Sequence, residues 1–156
     1  MKHKSGFVNI IGNPNVGKST LMNKLIGQDL SIITNKAQTT RHRIKGILSE
    51  KDFQIVFSDT PGIIKPAYKL QENMMDYVKS ALKDADVILY VVEIGEKGLK
   101  DAELYKQIKQ LKIPLIILLN KIDLVSQENV LSEIESWKSI FSNATILPIS
   151  ALNGFN

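Results

Sequence analysis

Gly12-Asn13-Pro14-Asn15-Val16-Gly17-Lys18-Ser19 carries the spacing G-x-x-x-x-G-K-[ST] of a Walker A loop. Four constrained positions arise by chance at roughly one start in 30,000 for average composition. Its surroundings agree with it. The apolar run Phe7-Val8-Asn9-Ile10-Ile11 precedes the loop and a helix is predicted from Thr20 to Ile26, giving the strand, loop, helix order that a phosphate cradle requires.

Working outward, Gln28 to His42 shows no sustained periodicity and is read as an exposed, adaptable loop. Arg43 to Ser49 and Phe53 to Phe57 are β-prone runs joined by Glu50-Lys51-Asp52, the spacing of an antiparallel hairpin. The second run leads to Asp59-Thr60-Pro61-Gly62, and Pro61, Gly62 and Pro66 stop regular structure there. Leu70, Met74, Val78 and Ala81 then form the stripe of an amphipathic helix over Leu70 to Leu82. Val87 to Val92 and Leu115 to Leu119 are nearly unbroken apolar runs, as in parallel strands buried on both faces. Between them Asp101 to Leu111 has helical spacing, with Asp101 and Glu103 favourable to the helix dipole. Ser126 caps a further predicted helix with the stripe Val130, Ile134, Trp137 and Phe141, and Thr145 to Ile149 is a last short strand.

This alternation predicts an α/β domain of the P-loop NTPase type: about six strands, mostly parallel with one antiparallel pair, and helices on both faces. Ligands of open α/β sheets bind beyond the carboxyl ends of the strands. Segments 12–19, 59–62, 120–123 and 150–152 each follow a strand directly, so four separate segments are expected to converge on one site.

Composition bounds the chemistry. The 156 residues suit one domain, and 44% hydrophobic with 23% charged residues is the balance of a globular chain. With no cysteine and two scattered histidines, His3 and His42, thiolate and zinc sites are excluded, so any metal is held by oxygens. No run approaches the roughly 18 apolar residues of a membrane span, and the first residues lack a secretory core, so a cytoplasmic location is expected. The net charge of +4, with Arg41, His42, Arg43 and Lys45 clustered, permits a polyanionic partner. A closing helix after the last strand is missing from the pattern.

Each motif has a chemical task. Backbone N–H groups of the loop from Asn15 through Val16, Gly17 and Lys18 to Ser19 wrap nucleotide phosphates at the helix N-terminus, and Asn13, Pro14 and Thr20 complete the expected phosphate-binding set. Lys18 reaches the β- and γ-phosphates, and the Ser19 hydroxyl is a hard ligand for Mg²⁺. Asp59 holds a water of that ion, and Gly62 lets its N–H approach a γ-phosphate. Asn120-Lys121-Ile122-Asp123 supplies a carboxylate that accepts the N1–H and 2-amino hydrogens of guanine. Adenine offers no such donors, and an unmet carboxylate costs factors of 10⁴ or more. Lys121 lays its alkyl stem along the base, Asn120 ties this loop to the Walker loop, and a backbone N–H within Ser150-Ala151-Leu152 contacts the guanine O6. Thr39 and Thr40 are candidates for a metal ligand that engages only with a γ-phosphate present. Trp137, Met74 and Met75 are read as packing, and His42 as a surface residue.

With these motifs in place the chain resembles the translation-factor-related GTPases, and within them the bacterial Era family. The resemblance covers nearly the whole chain, through G-N-P-N-V-G-K-S-T, A-Q-T-T-R-H-R-I at Ala37 to Ile44, D-T-P-G, N-K-I-D and S-A-L. It implies GTP and GDP as ligands, slow hydrolysis of GTP, Mg²⁺ as cofactor, and Thr40 as the switch ligand of the metal. It further implies action in maturation of the small ribosomal subunit through a C-terminal KH domain that binds 16S rRNA, a domain not contained in residues 1–156. A cytoplasmic location, with association at the periphery of the inner membrane, and a monomeric GTPase domain belong to the same expectation. An alternative within it is an assembly factor for which hydrolysis only times release. An ATPase or kinase fits only if Asp123 is not at the base. The chain departs from Ras-like members at Ile63, where they place a water-orienting glutamine. Relatives with this substitution carry an asparagine at the place of Asn15 and use K⁺ to stabilise charge, which makes Asn15, with Lys18, Thr40 and Gly62, part of the expected catalytic set.

Overall fold

The computed structural model describes residues 2–29, 31, 41–99 and 101–156. In order, the elements are β1 (Lys4–Ile11), α1 (Lys18–Ile26), β2 (Ile44–Ser49), β3 (Phe53–Asp59), α2 (Lys69–Lys83), β4 (Val87–Glu93), α3 (Ala102–Lys109), β5 (Leu115–Asn120), a 3₁₀ turn (Ile122–Leu124), α4 (Gln127–Ile140) and β6 (Thr145–Pro148). The strands form one sheet in the order β2-β3-β1-β4-β5-β6. The β2–β3 pair is antiparallel and the others are parallel. The predicted architecture is therefore the observed one.

Register carries the site. Ile10 lies opposite Asp59, and Glu93 lies opposite Asn120, so four strands end at one edge of the sheet. The switch in winding direction falls at β1, flanked by β3 and β4, and the Walker loop leaves β1 into that crevice.

Residues of β4 alternate between two cores because both faces of a parallel sheet are covered. Ile88, Tyr90 and Val92 pack with Met74, Met75 and Val78 of α2, Leu104 and Ile108 of α3, and Trp137 of α4. Leu89 and Val91 face the other way, onto Leu21 and Met22 of α1. Tyr90 is the centre of the first core, with its ring edge-to-face against Trp137 at 5.8 Å and Phe141 at 6.2 Å. Such pairs add about 0.5–1.5 kcal/mol beyond the area they bury.

Helix ends follow the sequence signals. The Asp101 side chain accepts from the Leu104 N–H at 3.0 Å, and the Ser126 hydroxyl from that of Asn129 at 3.4 Å. Most element boundaries differ from expectation by a residue or two, and three differences have a clear cause. β1 begins at Lys4 rather than Phe7, because Lys4, Ser5 and Gly6 pair with Phe53, Gln54 and Ile55 although nothing in their polarity marks a strand. β3 runs on to Asp59, which pairs with Ile44. In α2 the buried stripe starts at Gln71, not Leu70, which is 43% exposed. The Gln71 Oε1 accepts the Ala67 N–H at 2.7 Å, so a polar side chain takes the inward place by satisfying the turn before the helix.

His42 is exposed as expected, with its ring edge-to-face on Tyr77 of α2 at 5.8 Å. Arg43 is more than the start of a strand. Its guanidinium forks onto both carboxylate oxygens of Asp84 at 2.6 and 2.8 Å and reaches the Ser58 hydroxyl at 3.2 Å. Asp84 also accepts from the buried Asn9 side chain at 2.7 Å, and these bonds, the Arg43 fork above all, hold its carboxyl below the usual range.

Candidate functional site

The Walker loop leaves β1 and turns into α1 at Gly17, whose φ of 102° suits glycine. A Cβ there would collide with the Asn120 side-chain amide, so the second fixed glycine of the motif is also a packing requirement. Asn15 sits in the left-handed region at φ 61°, which asparagine tolerates better than most residues. That is a backbone reason for an asparagine at this position, independent of any ligand. Val16 is buried against α1 and the sheet, while Thr20 is half-buried in the first turn of α1.

Lys18 is 6% exposed, and its ammonium donates to the Asn13 carbonyl at 2.7 Å. Burial lowers its pKa to about 8, against the opposing charges of Asp59 and Glu96. Desolvation of this buried ammonium outweighs the attraction of the two carboxylates.

Asp59 is fully buried at the end of β3. Its Oδ2 accepts the Ser19 hydroxyl at 2.7 Å, whereas its Oδ1 is buried with no hydrogen-bond partner among the described residues. Burial pushes the Asp59 carboxyl above its ordinary range, opposed by Lys18 and by the Ser19 bond. A hard oxygen pair with one buried acceptor unspent fits a small divalent cation with water in its shell. The next residue, Thr60, is tied down by donating its hydroxyl to the Ile10 carbonyl at 2.7 Å.

Gly62 meets the Walker loop directly. A Cβ on it would lie 2.8 Å from the Pro14 Cα, and the following Ile63 N–H donates to the Gly12 carbonyl at 2.9 Å. The Ile63 side chain is fully buried in the larger core, with residues of α2, α3 and α4.

Asn120 joins the other half. Its Nδ2 donates to the Val16 carbonyl at 2.8 Å, and its Oδ1 accepts the Ala151 N–H at 2.9 Å. That Ala151 donor, one of the N–H groups expected near the guanine O6, is thus spent on Asn120 in this arrangement. Lys121, at φ 66°, stretches across the loop so that its ammonium meets the Asn15 carbonyl at 2.8 Å and the Glu93 carboxylate at 3.0 Å. The Ser150 hydroxyl donates to Asp123 Oδ1 at 2.7 Å, and Leu152 lies 73% exposed beside this turn. The structure therefore brings together 12–20, 59–62, 120–123 and 150–152. Thr39 and Thr40 lie outside the described residues.

The sequence reading missed the end of β4. Glu96 and the Gly98 carbonyl both accept from the Asn13 side chain, at 2.7 and 2.9 Å, and Glu93 holds Lys121. A signal was present, because Glu93 breaks the apolar run of β4 at the same sheet edge where every other motif follows a strand. Among the described residues no three acidic or histidine side chains form a metal cluster, and no helix is long and apolar enough to cross a membrane.

A phosphate loop at a β-strand crossover, an acid–hydroxyl pair beside its lysine, and a carboxylate turn bound to it by asparagine define a P-loop domain of the GTPase class. The family model described as a 50S ribosome-binding GTPase matches residues 7–121. The chain is 46% identical over 156 residues to the GTPase Era of Staphylococcus epidermidis, covering 99% of this chain and 52% of that protein. It belongs to the Era family of GTPases. Among solved structures, Era in complex with MgGDPNP and nucleotides 1506–1542 of 16S ribosomal RNA superposes with a TM-score of 0.92 at 42% identity, over 99% of this chain and 53% of that one. An Aquifex aeolicus Era variant bound to GDP·AlF₄⁻ gives 0.90 at 43%, over 100% and 54%. A more distant neighbour, NFeoB from S. thermophilus bound to GDP·AlF₄⁻ and K⁺, gives 0.69 at 29%, over 96% and 56%. The chain spans about half the length of the curated relatives it matches.

Proposed function

We propose that the chain binds guanine nucleotide and slowly hydrolyses GTP to GDP and phosphate, acting as a switch in assembly of the small ribosomal subunit. The observation that carries the nucleotide reading is Asp123, set by Ser150 at 2.7 Å on a turn that Asn120 fastens to the Walker loop. Asp123 accepts two guanine hydrogens, Lys121 flanks the base, and the Ser150–Leu152 turn supplies an N–H to O6. Such an N–H reaches O6 only by local rearrangement of the turn or from a donor other than the engaged Ala151 N–H.

On the phosphate side, residues 13–20 bind oxygens, through backbone N–H groups at every position but Pro14, and Lys18 supplies charge. Gly62 offers its N–H to the γ-phosphate. Ser19 directly, Asp59 through water and, in sequence, Thr40 would hold Mg²⁺, and the buried Oδ1 of Asp59, which has no partner among the described residues, fits that role. The metal supplies charge neutralisation of the β- and γ-phosphates when bound. Asn15, exposed at the rim of the loop, is proposed to orient a K⁺ ion; support comes from its place beside the phosphate loop and from the likeness to an NFeoB bound to K⁺. Binding of rRNA is proposed for the longer protein, on the likeness to Era bound to 16S RNA. The net charge of +4 supports the peripheral membrane association that the family resemblance implies. The chain by itself is proposed to be a monomer.

The buried Ile63 favours a second reading, in which hydrolysis only times release from the ribosome. With no polar side chain there to orient water, turnover unaided is expected near 10⁻⁴ to 10⁻³ per second. Equal ribosome affinity of the GTP and GDP forms would remove the gate. For the nucleotide reading, competition among GDP, ADP and XDP decides. GDP wins on the wild type and Asp123→Asn moves preference toward XDP, whose 2-oxo group needs a donor. Equal competition by ADP would sink it.

A further inference from the structure

The loop after β4 touches the phosphate loop at a point that the nucleotide reading leaves without a task. Glu96 uses both carboxylate oxygens. Oε1 accepts the Asn13 side-chain amide at 2.7 Å, and Oε2 accepts the Glu93 N–H at 3.2 Å. The Gly98 carbonyl takes the same Asn13 amide at 2.9 Å, so the side chain of Asn13 is gripped by the loop that follows β4. On the phosphate side the Asn13 carbonyl accepts the Lys18 ammonium at 2.7 Å. One residue thus connects Glu96 to the lysine that meets the phosphates.

We propose that Glu96 is a positioning residue of the phosphate loop, holding Asn13 in place and obliging nucleotide binding to take up a proton. The inference rests on the guanine-nucleotide reading above. Its geometric part is the bridge: a carboxylate with one oxygen on the strand end and the other on the loop fixes the spacing between them. Its electrostatic part follows from what surrounds Glu96. Lys18 of α1 attracts its charge, and Glu93 on β4 repels it while being itself paired with Lys121. Tyr90 of β4 and Tyr105 of α3 face it as neutral phenols whose ionisation its charge opposes. Asp59 of β3 competes for Lys18. Burial is the largest influence on Glu96 and raises its pKa to about 7.

The sign follows. A nucleotide phosphate takes Lys18 as its own counter-ion and adds negative charge nearby, so the carboxylate becomes costlier and its pKa rises further in the complex. The complex therefore holds more protons than the free protein between the two pKa values. Affinity is greatest below the free value and falls as pH rises through it, by at most ~10-fold per unit.

The test is calorimetric titration of the protein with GDP and Mg²⁺ in buffers of different ionisation enthalpy, around pH 7 and one unit to either side. The wild type takes up a fraction of a proton per GDP beyond that of Glu96→Gln, which keeps an acceptor for Asn13 but cannot titrate. Affinity of the Gln variant is correspondingly flatter with pH. Glu96→Ala loses the grip on Asn13 and binds ~10-fold more weakly at every pH. Identical proton counts for wild type and Glu96→Gln would overturn the coupling, and undiminished affinity of a folded Glu96→Ala would overturn the positioning role. If ADP matched GDP, the guanine assignment would fail while the proton count could still be read; a wild type binding neither would overturn both.

Discussion

Asn120 holds the Val16 carbonyl with its Nδ2 at 2.8 Å and the Ala151 N–H with its Oδ1 at 2.9 Å, joining three loops that are far apart in the chain. Because Asn120 is 2% exposed, truncation leaves a buried donor and a buried acceptor unmet. Asn120→Ala is expected to cost about 2–4 kcal/mol of stability from two such losses, measured by denaturant titration. It should also weaken GDP by more than a change confined to the base turn. A variant within about 0.5 kcal/mol of wild type would show that the two bonds carry no weight.

Gly62 approaches Pro14 so closely that a Cβ would lie 2.8–2.9 Å from the proline's Cα, N and Cγ. Two of these are backbone atoms and cannot swing aside. Gly62→Ala is therefore expected to push the two loops apart, strain the Ile63–Gly12 bond and lower stability by about 1–3 kcal/mol in the nucleotide-free protein. An unchanged melting temperature would count against this contact.

Burial lowers the Lys18 pKa to about 8 from the 10.5 of an exposed lysine. Below pH 8 the lysine is charged in both folded and unfolded protein, and the folded state bears the full cost of the buried ammonium. Between the two values the folded protein has released the proton and that cost fades, so this group makes the free protein more stable as pH rises through the interval. Lys18→Met should accordingly raise the melting temperature of the free protein near neutrality, by about 1–3 kcal/mol of stability, while abolishing the further rise that GDP gives the wild type. A Met variant less stable than wild type would mean that the bond to Asn13 outweighs desolvation.

Asn15 has two reasons to be an asparagine, its left-handed backbone and the proposed K⁺ ion, and kinetics can separate them. Single-turnover GTP hydrolysis is expected to be faster in K⁺ than in Na⁺. Asn15→Gly keeps the backbone conformation without the side-chain oxygen, and should abolish the difference just as Asn15→Ala does. Equal rates in both salts for the wild type would end the cation proposal.

Much of the domain was legible in order. The period of α4, the apolar runs of β4 and β5 and the cap at Ser126 are local signals, set by residues within a few positions of one another, and the structure follows them, while Asp101, expected in the first turn of α3, caps that helix instead. The α2 stripe was displaced because Gln71 satisfies the Ala67 N–H, a demand of the preceding turn that hydrophobic spacing does not encode. The first residues of β1 were invisible for a similar reason, since Lys4 to Gly6 become strand through pairing with β3.

The site divides in the same way. The sequence by itself determined which groups stand at the sheet edge: the Walker motif, the acid at Asp59 and the carboxylate at Asp123. These are short motifs whose spacing is their meaning. Only the tertiary structure decided what holds the Walker loop from behind, where Glu96 and the Gly98 carbonyl grip Asn13, and Glu93 holds the Lys121 that reaches Asn15. Those partners are brought together by strand register, β1 beside β4 for Asn13 and Glu96, which are 83 residues apart in the chain, and Glu93 opposite Asn120 for Glu93 and Lys121. A side-chain pairing of that kind depends on the sheet order: Glu93 marks itself by breaking the apolar run of β4, but nothing local to it names the partner it meets.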